Sequence, residues 1–172
     1  LADGGQYAMR STTALALDAR DRLWVGGFGN LLRLDGVQVN SYRPGLTPYL
    51  AQGHIRALLP LQNGDMLVGG NREGVLLWEL ASGRLVPLLP DGGERLTRIN
   101  GLSRDRDGGV WVAAEQGLLH WAGGRSRRLQ AVAELDDLPR LSPRVFSALQ
   151  AADGSLWVAA HNGLYRRGPD AV

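Results

Sequence analysis

Cysteine is absent from this chain, and so is lysine: all 19 basic residues are arginine. The first absence excludes disulfide bonds and thiolate metal sites, while leaving the redox compartment open. The second reads as a coding bias, because the arginines scatter; only Arg125 to Arg128 and the pair Arg166, Arg167 stand close together. A net charge of +2, without a dense basic stripe or interleaved aromatics, argues against a nucleic-acid surface. Long hydrophobic runs are missing too. None approaches the roughly 18 residues that a membrane span needs, so a membrane connection would run only through parts outside this sequence. The chain opens at Leu1 rather than methionine, which reads as a processed or excised piece.

What is abundant is glycine, with 24 residues, set in a chain of 172 that is 44% hydrophobic and 21% charged. That balance is globular, and the length suits one domain with a sizeable core. The glycines fall at turns of a phrase written four times. Its copies are Asp18 to Gly27, Asn63 to Gly70, Asp105 to Ala114 and Asp153 to Ala160, each followed by a second apolar stretch. The anchors Trp24, Leu67, Trp111 and Trp157 are separated by 43, 44 and 46 residues. A period in the forties with several short strands per unit is the pattern of propeller blades.

Each unit reads as a four-stranded sheet. An apolar lead-in (Thr12–Leu17, Ile55–Leu59, Ile99–Leu102, Val145–Leu149) forms the innermost strand. Ala14, Ala57, Gly101 and Ser147 are small where blades taper, while Arg56, Asn100 and Phe146 face another way along a period-2 strand. A hairpin turn follows, with positive φ expected at Gly64, Gly108 and Gly154, and Asp21 in the first unit. The anchor tryptophans are expected to fill the space between blades. Small pairs, Gly or Ala, close the second strand. Third strands are expected at residues 31–34, 75–78, 118–121 and 164–167, and outer strands at 37–42, 84–88 and 126–130. Pro87 is tolerable there because an outer strand is a sheet edge. The expectation is therefore an all-β fold of β-propeller blades, four repeats of four-stranded antiparallel sheets, at about residues 10–43, 54–90, 97–131 and 143–168. Residues 3–9 echo an outer strand. They either close the fourth blade into a small ring or belong to an open, partial propeller.

The phrases from Asp105 to Leu119 and from Asp153 to Tyr165 resemble the two-component regulator propeller repeat. The resemblance covers all four units. It departs at Leu67, where a tryptophan is expected, at Asp21 in place of the turn glycine, and where Gly or Ala replaces a threonine after the second strand. It implies a fragment of an extracytoplasmic sensor region of a hybrid histidine kinase, diguanylate cyclase or related receptor, hence a periplasmic or extracellular location. The sensors it resembles usually hold many more blades and detect oligosaccharides or other small ligands. The family supplies no universal contact residues.

Candidate site residues follow from propeller geometry instead. Turns between second and third strands share a face with the loops entering each blade. That face collects Phe28, Arg72, Glu115, Gln116, His161 and Asn162 from the turns, and Tyr49, His54, Arg98 and Arg144 from the incoming loops. Arginines there suit a carboxylate or sulfate, and aromatics suit a sugar ring. No catalytic residue, metal site or cofactor is expected. The histidines lack metal spacing, and Asp18, Asp105, Asp107 and Asp153 read as turn residues. Residues 129–141 form the longest insertion, a short helix or lid-like loop. The leading function is a non-enzymatic sensor of a small extracellular ligand. A streptogramin-lyase-like metal enzyme is the second reading. The third is an interaction module, joined by further blades or a second copy of itself.

Overall fold

The computed structural model describes residues 11–42, 53–93, 96–132 and 144–169. Tyr49, the strand expected at 3–9 and most of the insertion expected at 129–141 lie outside these residues. The chain is all-β and built of propeller blades. The first blade contains β1 (Ala14–Leu17), β2 (Leu23–Gly27), β3 (Asn30–Leu34) and β4 (Val39–Tyr42). The second contains β5 (Ile55–Pro60), β6 (Met66–Gly70), β7 (Val75–Glu79) and β8 (Arg84–Pro90). The third contains β9 (Ile99–Arg104), β10 (Val110–Ala114), β11 (Gly117–Trp121) and β12 (Arg128–Ala131). In the fourth, the described strands are β13 (Val145–Gln150), β14 (Leu156–Ala160) and β15 (Gly163–Arg167). Pairing within every blade is antiparallel.

One connection was not anticipated. The outer strands β8 and β12 pair in parallel at Leu89–Arg128 and Pro90–Leu129, merging blades two and three into an eight-stranded sheet. Leu89 N–H donates to Arg127 O at 3.1 Å, and Asp91 N–H to Leu129 O at 3.1 Å. Neither strand is therefore a free edge along its whole length. Pro87 survives because it sits before the paired stretch, opposite Leu76 within its own blade.

The turns follow their chemistry. Gly64, Gly108 and Gly154 take φ of 88°, 89° and 89°, and Asp21 takes 55°. Asp18, Asp105 and Asp153 hold these turns by accepting backbone N–H bonds: Arg20 at 2.9 Å, Asp107 at 2.8 Å and Ser155 at 2.8 Å respectively. Asp18 also accepts from the Trp24 indole N–H at 2.9 Å and the Arg22 guanidinium at 2.8 Å. Burial pushes the Asp18 carboxyl up, but those donors outweigh it and hold the group at about 2, below its ordinary 3.8.

Residues directly opposite in an antiparallel pair share a face, so the register assigns each blade a forward and a rear face. Ala14, Gly26 and Leu31, with Ala16, Trp24 and Arg33, make the forward face of blade one. It packs on the rear face of blade two, formed by Leu58, Val68, Leu76, Met66 and Trp78 together with Ile55. Leu67, Val75 and Leu77 repeat this arrangement against Val110, Val112, Leu119 and Trp121 of blade three. Ala113 and Leu118 repeat it against Val145, Ala148, Leu156 and Val158 of blade four. No apolar cluster among the described residues joins blade four to blade one. Leu15, Leu17, Leu149 and Leu164 are exposed instead, so the described blades form an open arc.

Close approach at the seams requires glycine at two positions. A Cβ on Gly26 would lie 2.5 Å from Ile55 Cγ2, and one on Gly69 would lie 2.6 Å from Ile99 Cγ2 and 2.9 Å from its Cβ. Where Ala113 stands instead, the facing residue is the smaller Val145. Gly69→Ala is thus expected to cost about 1–3 kcal/mol in urea unfolding, and adding Ile99→Val should recover a large part of it; an additive pair would contradict the seam geometry. Acid supplies a second check. A carboxyl lowered in the fold stabilises fully above its unfolded value and stops doing so as pH falls through its folded value. Between about pH 4 and pH 2 the wild type should lose on the order of 1–2 kcal/mol through Asp18, after solvent screening. Asp18→Asn should remove that component of a pH-dependent denaturation series.

Candidate functional site

The first strand of blades two, three and four begins with an apolar residue on the rear face and carries another three positions later: Ile55 and Leu58, Ile99 and Leu102, Val145 and Ala148. Strict alternation would put each pair on opposite faces. A register shift between residues 55 and 57, 113 and 114, and 145 and 147 resolves the conflict. Such a bulge re-aims the extra side chain. In blades two, three and four that residue is Arg56, Asn100 and Phe146. Asn100 Nδ2 donates to Val145 O of the next blade at 2.8 Å, and Thr13, its equivalent in blade one, donates to Ile55 O. Among the described residues Arg56 has no such bond. Its Nε is buried without a partner.

Around this position lies the densest charge on the loop face. Glu115, in the β10–β11 turn, accepts from Arg144 Nε at 2.6 Å and approaches Arg98 Nε at 3.9 Å. Its backbone N–H donates to Arg98 O at 3.0 Å, fixing turn against incoming loop. Arg56 feels both neighbours. Burial lowers its basicity most, Arg98 lowers it further, and Glu115 opposes them. Two guanidinium groups thus contact one carboxylate, and a third, from the preceding blade, lies within their electrostatic reach. A multivalent cationic site of this kind suits a carboxylate or sulfate, which guanidinium can hold through paired N–H donors.

The other expected residues occupy the same face in smaller groups. Phe28 forms an isolated bridge with His54, and their rings lie 4.7 Å apart. His161 N–H donates to Arg144 O at 3.0 Å, and its ring packs edge-on to Phe146 at 6.4 Å. Gln116 Nε2 donates to Thr97 Oγ1 at 2.9 Å. Arg72 N–H donates to Glu73 Oε2 at 3.2 Å, while its side chain is exposed. Asn162 is exposed in the β14–β15 turn. The structure therefore joins Arg98, Glu115 and Arg144 directly, links His161 to them through backbone, and keeps Phe28 with His54 as a separate pair.

Sequence reasoning left Arg56 out of the site. The signal was present in the three-residue spacing of apolar residues, which announces the bulge. It also missed a groove of about 670 Å³ on the opposite rim between blades one and two. Trp24, Tyr42, Trp78, Arg33, Asp18 and Asp65 line part of it. The three aromatic rings pack on one another at 5.0 to 5.7 Å, and Trp24 and Trp78 are buried, so their faces serve the seam. No group of three or more His, Asp or Glu side chains among the described residues could hold a metal ion.

No protein-family model matches the chain, and no curated protein matches it in sequence. Solved structures do match. The extracellular domain assigned to the hybrid two-component system BT3049 of B. thetaiotaomicron superposes with a TM-score of 0.67 at 16% identity, over 94% of this chain and 24% of that one. PorZ, an essential surface component of the type-IX secretion system of Porphyromonas gingivalis, gives 0.69 at 19% identity, over 98% of this chain and 28% of its own. A catalytically inactive virginiamycin B lyase from Staphylococcus aureus, solved with quinupristin, gives 0.65 at 9% identity, over 92% and 55%. The chain spans about a quarter of the length of the first two. At these identities the likeness is one of fold, and the fold it shows is shared with the extracellular domain of a two-component system, a surface component and a lyase.

Proposed function

We propose that this chain is a non-catalytic ligand-sensing segment of an extracytoplasmic signalling receptor, and that its loop face recognises an anionic small molecule such as an acidic oligosaccharide. The observation that carries this reading is the pairing of Arg98 and Arg144 with the carboxylate of Glu115, with Arg56 in electrostatic reach of it. Arg144 is the closer partner of Glu115. Both arginine side chains are about half-exposed, but Arg98 stands further off, at 3.9 Å against 2.6 Å, so it is the group that can turn to an incoming anion. The likeness to the extracellular domain of a two-component system supports placing the segment outside the cytoplasm, in a sensory protein. A metal-dependent lyase would need Glu115 presented together with histidine; here both of its oxygens face arginine.

Thermal shift and titration calorimetry against uronate-containing, sulfated and neutral oligosaccharides test the proposal. At one hundred times its Kd, an acidic ligand should raise the melting temperature by about 5–10 °C, and binding should weaken as salt rises. Arg98→Gln should weaken binding about tenfold or more. Glu115→Gln should strengthen it while lowering the melting temperature of the unliganded protein. Equal binding of neutral and acidic sugars, or no binding at millimolar concentration, would remove the anionic-site reading.

A further inference from the structure

The two ends of the arc carry the two halves of one seam. On blade four the register places Ser147, Ala159 and Leu164, then Leu149, Trp157 and Arg166, on the forward face. These match Ala14, Gly26 and Leu31, then Ala16, Trp24 and Arg33, on blade one, position for position. Even the cation–π pair recurs, with Arg33 5.7 Å from the Trp24 ring and Arg166 5.5 Å from that of Trp157. The difference is cover. Trp24 and Leu31 are 0% exposed beneath blade two, whereas Trp157 and Leu164 are 37% and 66% exposed.

The rear face of blade one is the matching cover. Leu15, Val25 and Leu32, with Leu17, Leu23 and Leu34, occupy the positions that in blade two are Leu58, Val68 and Leu76, with Pro60, Met66 and Trp78. The blade-two set is what buries Trp24. All six of its counterparts on blade one are apolar; Leu32 is already buried and Leu23, Val25 and Leu34 are half-buried, while Leu15 and Leu17, at 64% and 63% exposed, are the part left to cover.

Size complementarity selects the occupant. Gly26 faces Ile55 and Gly69 faces Ile99, but Ala113, one methyl larger, is met by Val145, one methylene smaller. The next position in the series on blade four is Ala159, and the residue at the Ile55 position of blade one is Thr12, isosteric with valine. A fifth seam between Ala159 and Thr12 would repeat the Ala113–Val145 fit in size, with the Thr12 hydroxyl the one polar group it adds.

We infer that a second copy of this chain docks head to tail on the first. The forward face of each fourth blade covers the rear face of the partner's first, and two copies close an eight-bladed ring. Two-fold closure satisfies both open faces at once, where an unclosed head-to-tail contact would run on as a filament. Eight blades lie within the range of closed propellers. The inference rests on the seams alone and is independent of the anion site.

Native mass spectrometry and sedimentation of the full chain should give twice the 18.6 kDa of one copy. Leu15→Glu and Leu164→Glu alter exposed side chains on opposite ends, so both variants should keep the wild-type circular dichroism. Each alone should be monomeric, because both seams of its homodimer contain a buried glutamate. Mixed one to one they should form a heterodimer, since one of its two seams is then wild type. The Trp157 emission of the wild type should shift to the red on dilution, which reads the same seam without substitution. A monomeric wild type at about 100 µM, near the weak end of specific association, would overturn the inference. So would a dimer that both variants leave intact, since it would form through another surface.

Discussion

Everything in this molecule hangs on how closely one blade's second strand approaches the next blade's first. A four-stranded sheet of this size has two apolar faces and cannot stand alone in water; each face needs a neighbour. The seam between blades one and two shows how that need is met. Trp24 lies fully covered between Ala14 and Leu31 on its own sheet and Leu58, Met66 and Trp78 on the next. Burying one indole of about 150–250 Å² contributes on the order of 4–6 kcal/mol before ordering entropy is subtracted. The backbone glycine at 26 allows the contact distance that makes this burial complete, and Gly69 does the same for the next seam.

The seam also dictates where the loop-face chemistry falls. Two rear-face residues spaced by three, as in Ile55 and Leu58, cannot be served by a regular strand. In blades two, three and four the bulge that reconciles them frees one residue at the entrance of the innermost strand. That residue is Arg56, then Asn100 and Phe146; Thr13 holds the equivalent position in the first unit, whose pairing is regular. Two of the four, Thr13 and Asn100, bond the next blade's backbone. Arg56 does not, and its guanidinium is left among the charges of Arg98 and Glu115. A packing requirement thus creates the position, and the residue placed there decides whether it reinforces the ring or faces a ligand.

This division explains what could be read before any coordinates. The period, the order of strands, the positive φ of Gly64, Gly108, Gly154 and Asp21, and the turn role of Asp18, Asp105 and Asp153 all depend on residues near one another in sequence. Local rules therefore reach them. The parallel pairing of β8 with β12, the burial of Trp24 against the exposure of Trp157, and the meeting of Arg98, Glu115 and Arg144 depend on how separate units approach. Nothing local encodes that approach. The repeat says that Trp24 and Trp157 are equivalent, and in their own sheets they are; only the presence of a following blade makes one of them core. The loop face as a whole was legible for the same reason, since strand order alone fixes which turns share an end of the sheet. Which residues on it touch was not.

Because the blades contact only their neighbours in the described arc, any signal must pass through seams. The arginine cluster draws one group from blade two, two from blade three and one from blade four, so it straddles two of them. An anion held there would have to satisfy guanidinium groups whose positions are set by different sheets. The pull between them falls on contacts such as Gly69 against Ile99 and Ala113 against Val145, where packing leaves little slack. Under the proposed reading, occupancy would therefore be felt as a change in the angle between blades rather than within any one of them. A site that spans seams is placed where binding energy acts on the packing between sheets.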